Sequence, residues 1–264
     1  MSTSVYDETL FRGAAWYYAR YRVPYPQSFF ELLRKKFSLD GTGRLLDLGT
    51  GTGELAVLLC RDFEEVVAVE PDADMIEEGK QRAAKAGARD ISWVKSTAEE
   101  YVDRPGSFRL VTIGTALHWM EKKKVLAKVY ELLMPGGGLA VVSRQDIWKS
   151  DKDWQQGIVK LVKTYLGEER RAGTGTFPTD TRRFEDIIME CSFSKIETHN
   201  YKQRVERNIH QIIGNLYSTS FARRELFGDR IKIFEKELAR MLRGLSPNGK
   251  LKDERSVRAI LAWK

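Results

Sequence analysis

The stretch Arg44-Leu45-Leu46-Asp47-Leu48-Gly49-Thr50-Gly51-Thr52-Gly53 decides how the rest of the chain is read. Arg44 to Leu48 reads as a buried strand. The three alternating glycines then let the backbone turn tightly and approach a ligand without a Cβ in the way. Glu54 to Arg61, with Leu55, Ala56, Leu58 and Leu59, reads as the helix that follows. Working outward, Val66 to Glu70 is a second strand ended by Pro71, and Asp72 caps a helix through about Ala86 that Gly87 closes. Ile91 to Lys95 and Leu110 to Gly114 are further strands. A helix from about Lys123 to Leu133 ends at Pro135-Gly136-Gly137-Gly138, and Leu139 to Ser143 makes a fifth strand. Strands spaced by helices require right-handed crossovers and a parallel sheet covered on both faces.

Three pieces flank this core. Residues 6–37 are aromatic-rich and helical in pattern. Residues 151–190 are helical with a break at Gly173-Thr174-Gly175-Thr176. After a strand near Lys195 to Gln203, residues 208–243 read as one or two helices, and Ser256 to Ala262 is a short β-like run expected to close an edge of the sheet. The organisation expected is an N-terminal helical segment (1–40) closing over the site, a binding core (41–150), and remaining strands with helical cap insertions (151–264).

The chain has 264 residues, 42% hydrophobic and 31% charged, with a formal charge of +7. Those values suit one folded domain with a cap and speak against disorder. The charge is unevenly placed: 21 basic and 21 acidic residues lie up to Ser150, and 23 basic against 16 acidic follow. An anionic partner or a solvated helical surface would each account for that excess. Two cysteines, Cys60 and Cys191, form no disulfide framework or zinc motif, and no metal-ligand pattern involves His199 or His210. The start of the chain lacks a basic, apolar leader and no stretch approaches a membrane span, so a cytoplasmic protein without a membrane partner is expected.

Glu70 supplies the second chemical element. It ends the second strand, where an acidic side chain accepts the ribose hydroxyls of a nucleoside. Glu54 stands where a dehydrogenase would place its third glycine, and no G-x-x-x-x-G-K-[ST] is present. The pattern therefore points to a nucleoside-containing cofactor other than a nicotinamide or a hydrolysed nucleotide.

These residues resemble a known family. Leu46 to Gly53 looks like motif I of the class I S-adenosylmethionine-dependent methyltransferases, Val69-Glu70-Pro71-Asp72-Ala73-Asp74-Met75 resembles their second motif, and Leu132 to Gly138 resembles the stretch before their fifth strand. The N-terminal Tyr18-Ala19-Arg20-Tyr21-Arg22-Val23-Pro24-Tyr25-Pro26 resembles a bacterial branch with small-molecule, antibiotic-assembly members. The resemblance implies an α/β, Rossmann-like, seven-stranded, mostly parallel sheet with helices on both faces and helical cap insertions. It implies S-adenosyl-L-methionine as cofactor, S-adenosyl-L-homocysteine as product, and a small-molecule N or O acceptor in secondary metabolism. On this sequence the cofactor residues would be Asp47, Gly49, Thr50, Gly51, Gly53, Glu70, Pro71, Met75, Thr97, Ala98, Glu99, Gly114, Thr115, Tyr21 and Arg22. Arg22 would pair with the methionine carboxylate. Thr97 replaces the usual Asp at the adenine, so that contact would fall to backbone groups.

His118, just after the fourth strand, is the candidate base or orienting group; its alternative is to pack the start of the next helix. Tyr17 is the second catalytic candidate, and Tyr17 and Tyr21 either touch cofactor and substrate or staple the helix to the core. The arginine doublets 170–171, 182–183 and 223–224 are expected on the surface, and an amine acceptor would require the cap arginines to point outward. An RNA methyltransferase is the competing enzyme reading, disfavoured by the missing Asn/Asp-Pro-Pro-Tyr/Phe motif and the lack of an RNA-binding module. A non-catalytic cofactor-binding protein is the other alternative, and self-association is left open.

Overall fold

The structure is a computed structural model that describes residues 6–176 and 182–264. Its sheet has seven strands: β1 (Arg44–Leu48), β2 (Glu65–Glu70), β3 (Ile91–Lys95), β4 (Phe108–Gly114), β5 (Leu133–Arg144), β6 (Lys195–Asn208) and β7 (Lys250–Trp263). They lie in the order β3-β2-β1-β4-β5-β7-β6. The first five are parallel, and β7 runs antiparallel to both β5 and β6.

The mostly parallel, seven-stranded expectation agrees with this sheet; the place of the last strand does not. β7 lies inside the sheet between β5 and β6, so β6 is the edge. The reason is burial. Ala259-Ile260-Leu261-Ala262 is buried on every residue, which requires neighbours on both sides. β6 alternates polar and half-buried residues and carries the charges suited to an edge. β6 and β7 are also longer than expected. Beyond the pair Arg144–Val257 they continue as a two-stranded ribbon to Asn208–Lys250.

Helices α1 (Ala15–Tyr21) and α2 (Gln27–Lys36) precede the sheet, and α3 (Glu54–Leu59), α4 (Ala73–Ala86) and α5 (Lys122–Leu132) connect its parallel strands. Asp72 caps α4 by accepting from the N–H groups of Asp74 and Met75, and Gly87 ends it in the left-handed region. Leu45 and Leu46 project to opposite faces, as successive strand residues must. Leu46 joins Val111, Val125 and Val129 on one face; Leu45 joins Phe29, Phe30, Leu33 and Leu55 on the other.

The cap has its own core. α6 (Asp153–Leu166), α8 (Ile209–Tyr217) and α9 (Ile231–Leu245) bring together Ile158, Val162, Ile212, Leu216, Phe234 and Leu238. α8 begins on a capping box between Asn208 and Gln211, at the tip of the ribbon. Between α6 and α7 (Phe184–Met189) the expected break at Gly173-Thr174-Gly175-Thr176 is a short ladder, 171–172 with 175–176; residues 177–181 of that segment lie outside the described residues. Among the described residues, no helix is long and apolar enough to cross a membrane.

Candidate active site

A pocket opens at the carboxyl ends of β1, β2 and β4, where ligands of such sheets bind. Gly49 and Gly51 form its floor, Glu70, Pro71 and Met75 one wall, and Thr97, Ala98 and Glu99 another; Gly114 and Thr115 close the far end. The structure thus brings together ten of the residues that the sequence assigned to a cofactor. Gly49 has φ +62°, and a Cβ there would lie 2.7 Å from that of Ala116, so only glycine fits this floor. Gly53 lies outside the lining. Its φ is +71° and a Cβ would meet the Trp93 ring at 2.5 Å; this glycine serves packing under α3.

Glu70 is the electrostatic centre. Its Oε2 accepts the Gly51 N–H at 2.8 Å and its Oε1 the Asp72 N–H at 3.2 Å, which ties the glycine turn to the end of β2. Burial pushes its carboxyl up to about 7; those two N–H groups favour the anion, and the nearby Asp72 and Asp47 charges oppose it. Asp47 stands one layer back, in a small adjoining cleft with Thr50. It accepts from the hydroxyls of Thr50 at 2.5 Å and Thr112 at 2.7 Å, and burial raises it to about 6. Asp47 and Thr50 therefore set the shape of the turn.

Thr97 uses its hydroxyl locally, donating to Glu100 and accepting the Glu100 N–H. Glu99 accepts the Glu121 N–H at 2.7 Å, fastening the start of α5 to the pocket. The remaining lining, Tyr6, Leu10, Phe11, Tyr18, Ala116, Trp119 and Met120, was not among the cofactor residues assigned from the sequence. Tyr6 Oη is buried with no hydrogen-bond partner among the described residues, close enough to Glu70 and Asp72 for both to raise its pKa further, beyond the main effect of burial.

α1 divides its aromatics between two faces. Tyr18 faces the pocket, stacked under the Arg22 guanidinium at 4.6 Å. Tyr17 and Tyr21, four residues apart, turn to the cap. Tyr17 meets Tyr217 edge-on at 5.3 Å; Tyr21 packs over Gly214 and its hydroxyl lies 3.3 Å from His210 Nε2. The structure does not bring Tyr17 or Tyr21 to the pocket. The segment after α1 is fixed by Glu54, the residue in the third-glycine position. Its carboxylate accepts the Tyr25 N–H at 2.6 Å and pairs with Arg144 at 2.5 Å, while the Tyr25 hydroxyl lies 2.8 Å from Thr115 Oγ1.

His118 and Arg22 line a second cavity of about 360 Å³, which shares Phe11, Tyr18, Thr115 and Trp119 with the first. Burial, then Arg170, Lys122 and Arg22, push the His118 imidazole down to about 3. It is a neutral ring across the working pH range. The expectation that the cap arginines face outward is met only in part: Arg171, Arg182, Arg183 and Arg224 are exposed, but Arg170 and Arg255 stand on the wall of this cavity, and Arg223 is buried with its Nη1 donating to the Arg12 carbonyl.

Residues 45–137 match the model of a family described as a methyltransferase domain. The chain is 29% identical over 151 residues to an uncharacterized methyltransferase of Schizosaccharomyces pombe, covering 57% of each chain. It is 37% identical over 100 residues to a ubiquinone/menaquinone biosynthesis C-methyltransferase of Desulfotalea psychrophila, covering 37% of this chain and 39% of that one. The chain thus spans little more than half the length of the first of these relatives and less of the second. Among solved structures, a putative methyltransferase from Bacillus halodurans has the same fold, with a TM-score of 0.57 at 16% identity over 90% of this chain and 99% of that one.

Proposed function

On the premise that the chain carries a class I S-adenosylmethionine-dependent methyltransferase domain, we propose that it transfers a methyl group from that cofactor to a nitrogen or oxygen of a small molecule. The observation that carries the reading is the Gly51 N–H bound to Glu70 at the ends of two adjacent strands. That arrangement leaves a buried carboxylate facing a glycine-floored pocket. A ribose supplies the two hydroxyl donors that such a carboxylate lacks. The unpartnered Tyr6 hydroxyl beside it is a second polar group that a nucleoside would satisfy.

The cofactor, when bound, supplies a methyl group on a positively charged sulfur. The chain's residues do the rest. Pro71 and Met75 offer an apolar face to the adenine, and the Thr97-Ala98-Glu99 backbone its edge. Tyr18 and Trp119 turn aromatic surface toward the end of β4, where a cation is favoured and water is kept out. The acceptor's lone pair forms the bond to the methyl carbon as the carbon–sulfur pair goes to sulfur, and an N–H or O–H acceptor gives its proton to solvent. His118, held neutral with a very weakly basic ring, orients the acceptor rather than carrying that proton.

The test is a calorimetric titration with S-adenosylmethionine, followed by transfer of labelled methyl to candidate acceptors. Glu70→Ala should weaken binding by about 1–3 kcal/mol, from loss of a charge-assisted hydrogen bond. Unchanged affinity would refute the placement of the site. Tight binding with no transfer to any amine, hydroxyl or carboxyl acceptor would make the protein a binder rather than an enzyme.

A further inference from the structure

The second cavity carries a charge that methyl transfer alone does not call for. Its wall holds Arg22, Lys122, Arg144, Lys149, Arg170, Arg182 and Arg255 against one carboxylate, Asp146, among the described residues. Arg144 meets Glu54 and Arg170 meets Asp146, each at 2.5 Å. Arg22 is met by a carbonyl rather than a carboxylate, and Arg255 shares its carboxylate with other cations. Arg22 Nη2 donates to the Ser218 carbonyl at 2.9 Å, but its Nε is buried with no acceptor among the described residues. Arg255 reaches Asp253 at 3.7 Å, a carboxylate that Arg207 already holds at 3.2 Å and Lys152 approaches at 3.7 Å.

Arg144 and Arg255 are interior. Their side chains are 5% and 13% exposed, so bulk water does not screen them as it would a surface patch. Burial pushes Arg255 down to about 10, with Arg207, Arg22 and Arg144 repelling its charge against the pull of Asp253. Asn215 stands on the same wall with a buried Oδ1 that has no partner among the described residues; its amide is free to turn a donor inward. Like charges held together in a recess are costly until an anion joins them.

We infer that the acceptor is a small organic anion, its carboxylate or phosphate group received between Arg22 and Arg255 while its nucleophile reaches past Trp119 toward the methyl group. This rests on the methyltransferase reading above. An amine without an acidic group gains nothing from this wall; an amine or hydroxyl compound that also bears one is held by it. The cavity is a recess of about 360 Å³ between the ends of β4 and β5 and the cap, a size that suits a small molecule better than a nucleic-acid strand.

The experiment titrates the full chain, with and without S-adenosylhomocysteine, with di- and tricarboxylates, phosphomonoesters and the neutral amides of the same skeletons. At least one anion class should saturate below about 10 mM while its amide does not. Arg255→Gln should weaken that anion about tenfold, leave S-adenosylhomocysteine binding unchanged, and be largely rescued by Arg255→Lys. Which class saturates separates carboxylate from phosphate recognition. Absence of saturation by every anion, equal binding of the neutral amides, an unaffected Arg255→Gln variant, or saturation by a transfer RNA that the small anions do not displace would each overturn the inference. Loss of S-adenosylhomocysteine binding by the unmodified protein would overturn the methyltransferase reading instead, and the anion titration without it would still be read.

Discussion

Two regions of this molecule meet at Tyr18, Thr115 and Trp119, and they handle charge in opposite ways. On the sheet side, a charge-balanced half of the chain builds a pocket around one buried carboxylate, Glu70, whose oxygens are pinned by backbone N–H groups. On the cap side, cations from both halves, Arg22 and Arg144 from the first and Arg170 and Arg255 from the second, outnumber the carboxylates on the wall among the described residues. The difference teaches that the excess charge, which lies after Ser150, contributes nothing to the lining of the Glu70 pocket. The carboxylate side asks for hydroxyl donors; the arginine side asks for an anion.

The largest expected effect breaks the sheet side. Because burial holds Glu70 near 7, S-adenosylmethionine should bind the ionised form, and its affinity should fall by up to about tenfold per unit as pH drops below 7. The stability sign runs the other way. The Glu70 carboxyl is raised above its ordinary 4.5, so its contribution to folding is fully present below 4.5 and is lost as pH rises through about 7. Thermal unfolding should therefore show cofactor protection that is larger at pH 8 than at pH 6.

Gly53→Ala should lower stability by about 1–3 kcal/mol, since a Cβ meets Trp93 in a left-handed conformation. Denaturant titration checks it, and a change under 0.5 kcal/mol, about the size of an ordinary surface substitution, would show that Trp93 moves freely. His118→Asn should lower kcat while leaving no limb between pH 5 and 8 to lose, because the unmodified ring stays neutral throughout that range. A limb that disappears on substitution would make His118 the base after all. The smallest effect is expected for Tyr17→Phe, under about twofold in kcat/KM, as its ring packs on Tyr217 away from the pocket. A large loss would return Tyr17 to the reacting centre.

The sheet side was legible in the sequence because its constraints are local. A glycine turn must follow a strand, an acid must end the next one, and Asp72 and Gly87 mark a helix by their own backbone geometry. The cap side depends on which face of a helix points where, and aromatic residues cover α1 all round. Trp16, Tyr17, Tyr18 and Tyr21 leave no polar face to read, so Tyr18 was passed over in favour of its neighbours. Spacing held the signal: Ala14, Tyr18 and Arg22 repeat every four residues on one face, and Tyr17 and Tyr21 share another. The place of β7 was also readable, since four consecutive buried residues at 259–262 exclude an edge. The inward turn of Arg255 follows from that interior position and from the pairing of β7 with β5 and β6, which no local pattern announces.

The division of labour between the two regions is tested most directly by one crossed titration. Glu70→Gln and Arg255→Gln are each measured by calorimetry against S-adenosylhomocysteine and against the anion that the unmodified protein binds. The account predicts that Glu70→Gln weakens only the cofactor product and Arg255→Gln only the anion. Both variants weakening the same ligand, or neither weakening any, would contradict it.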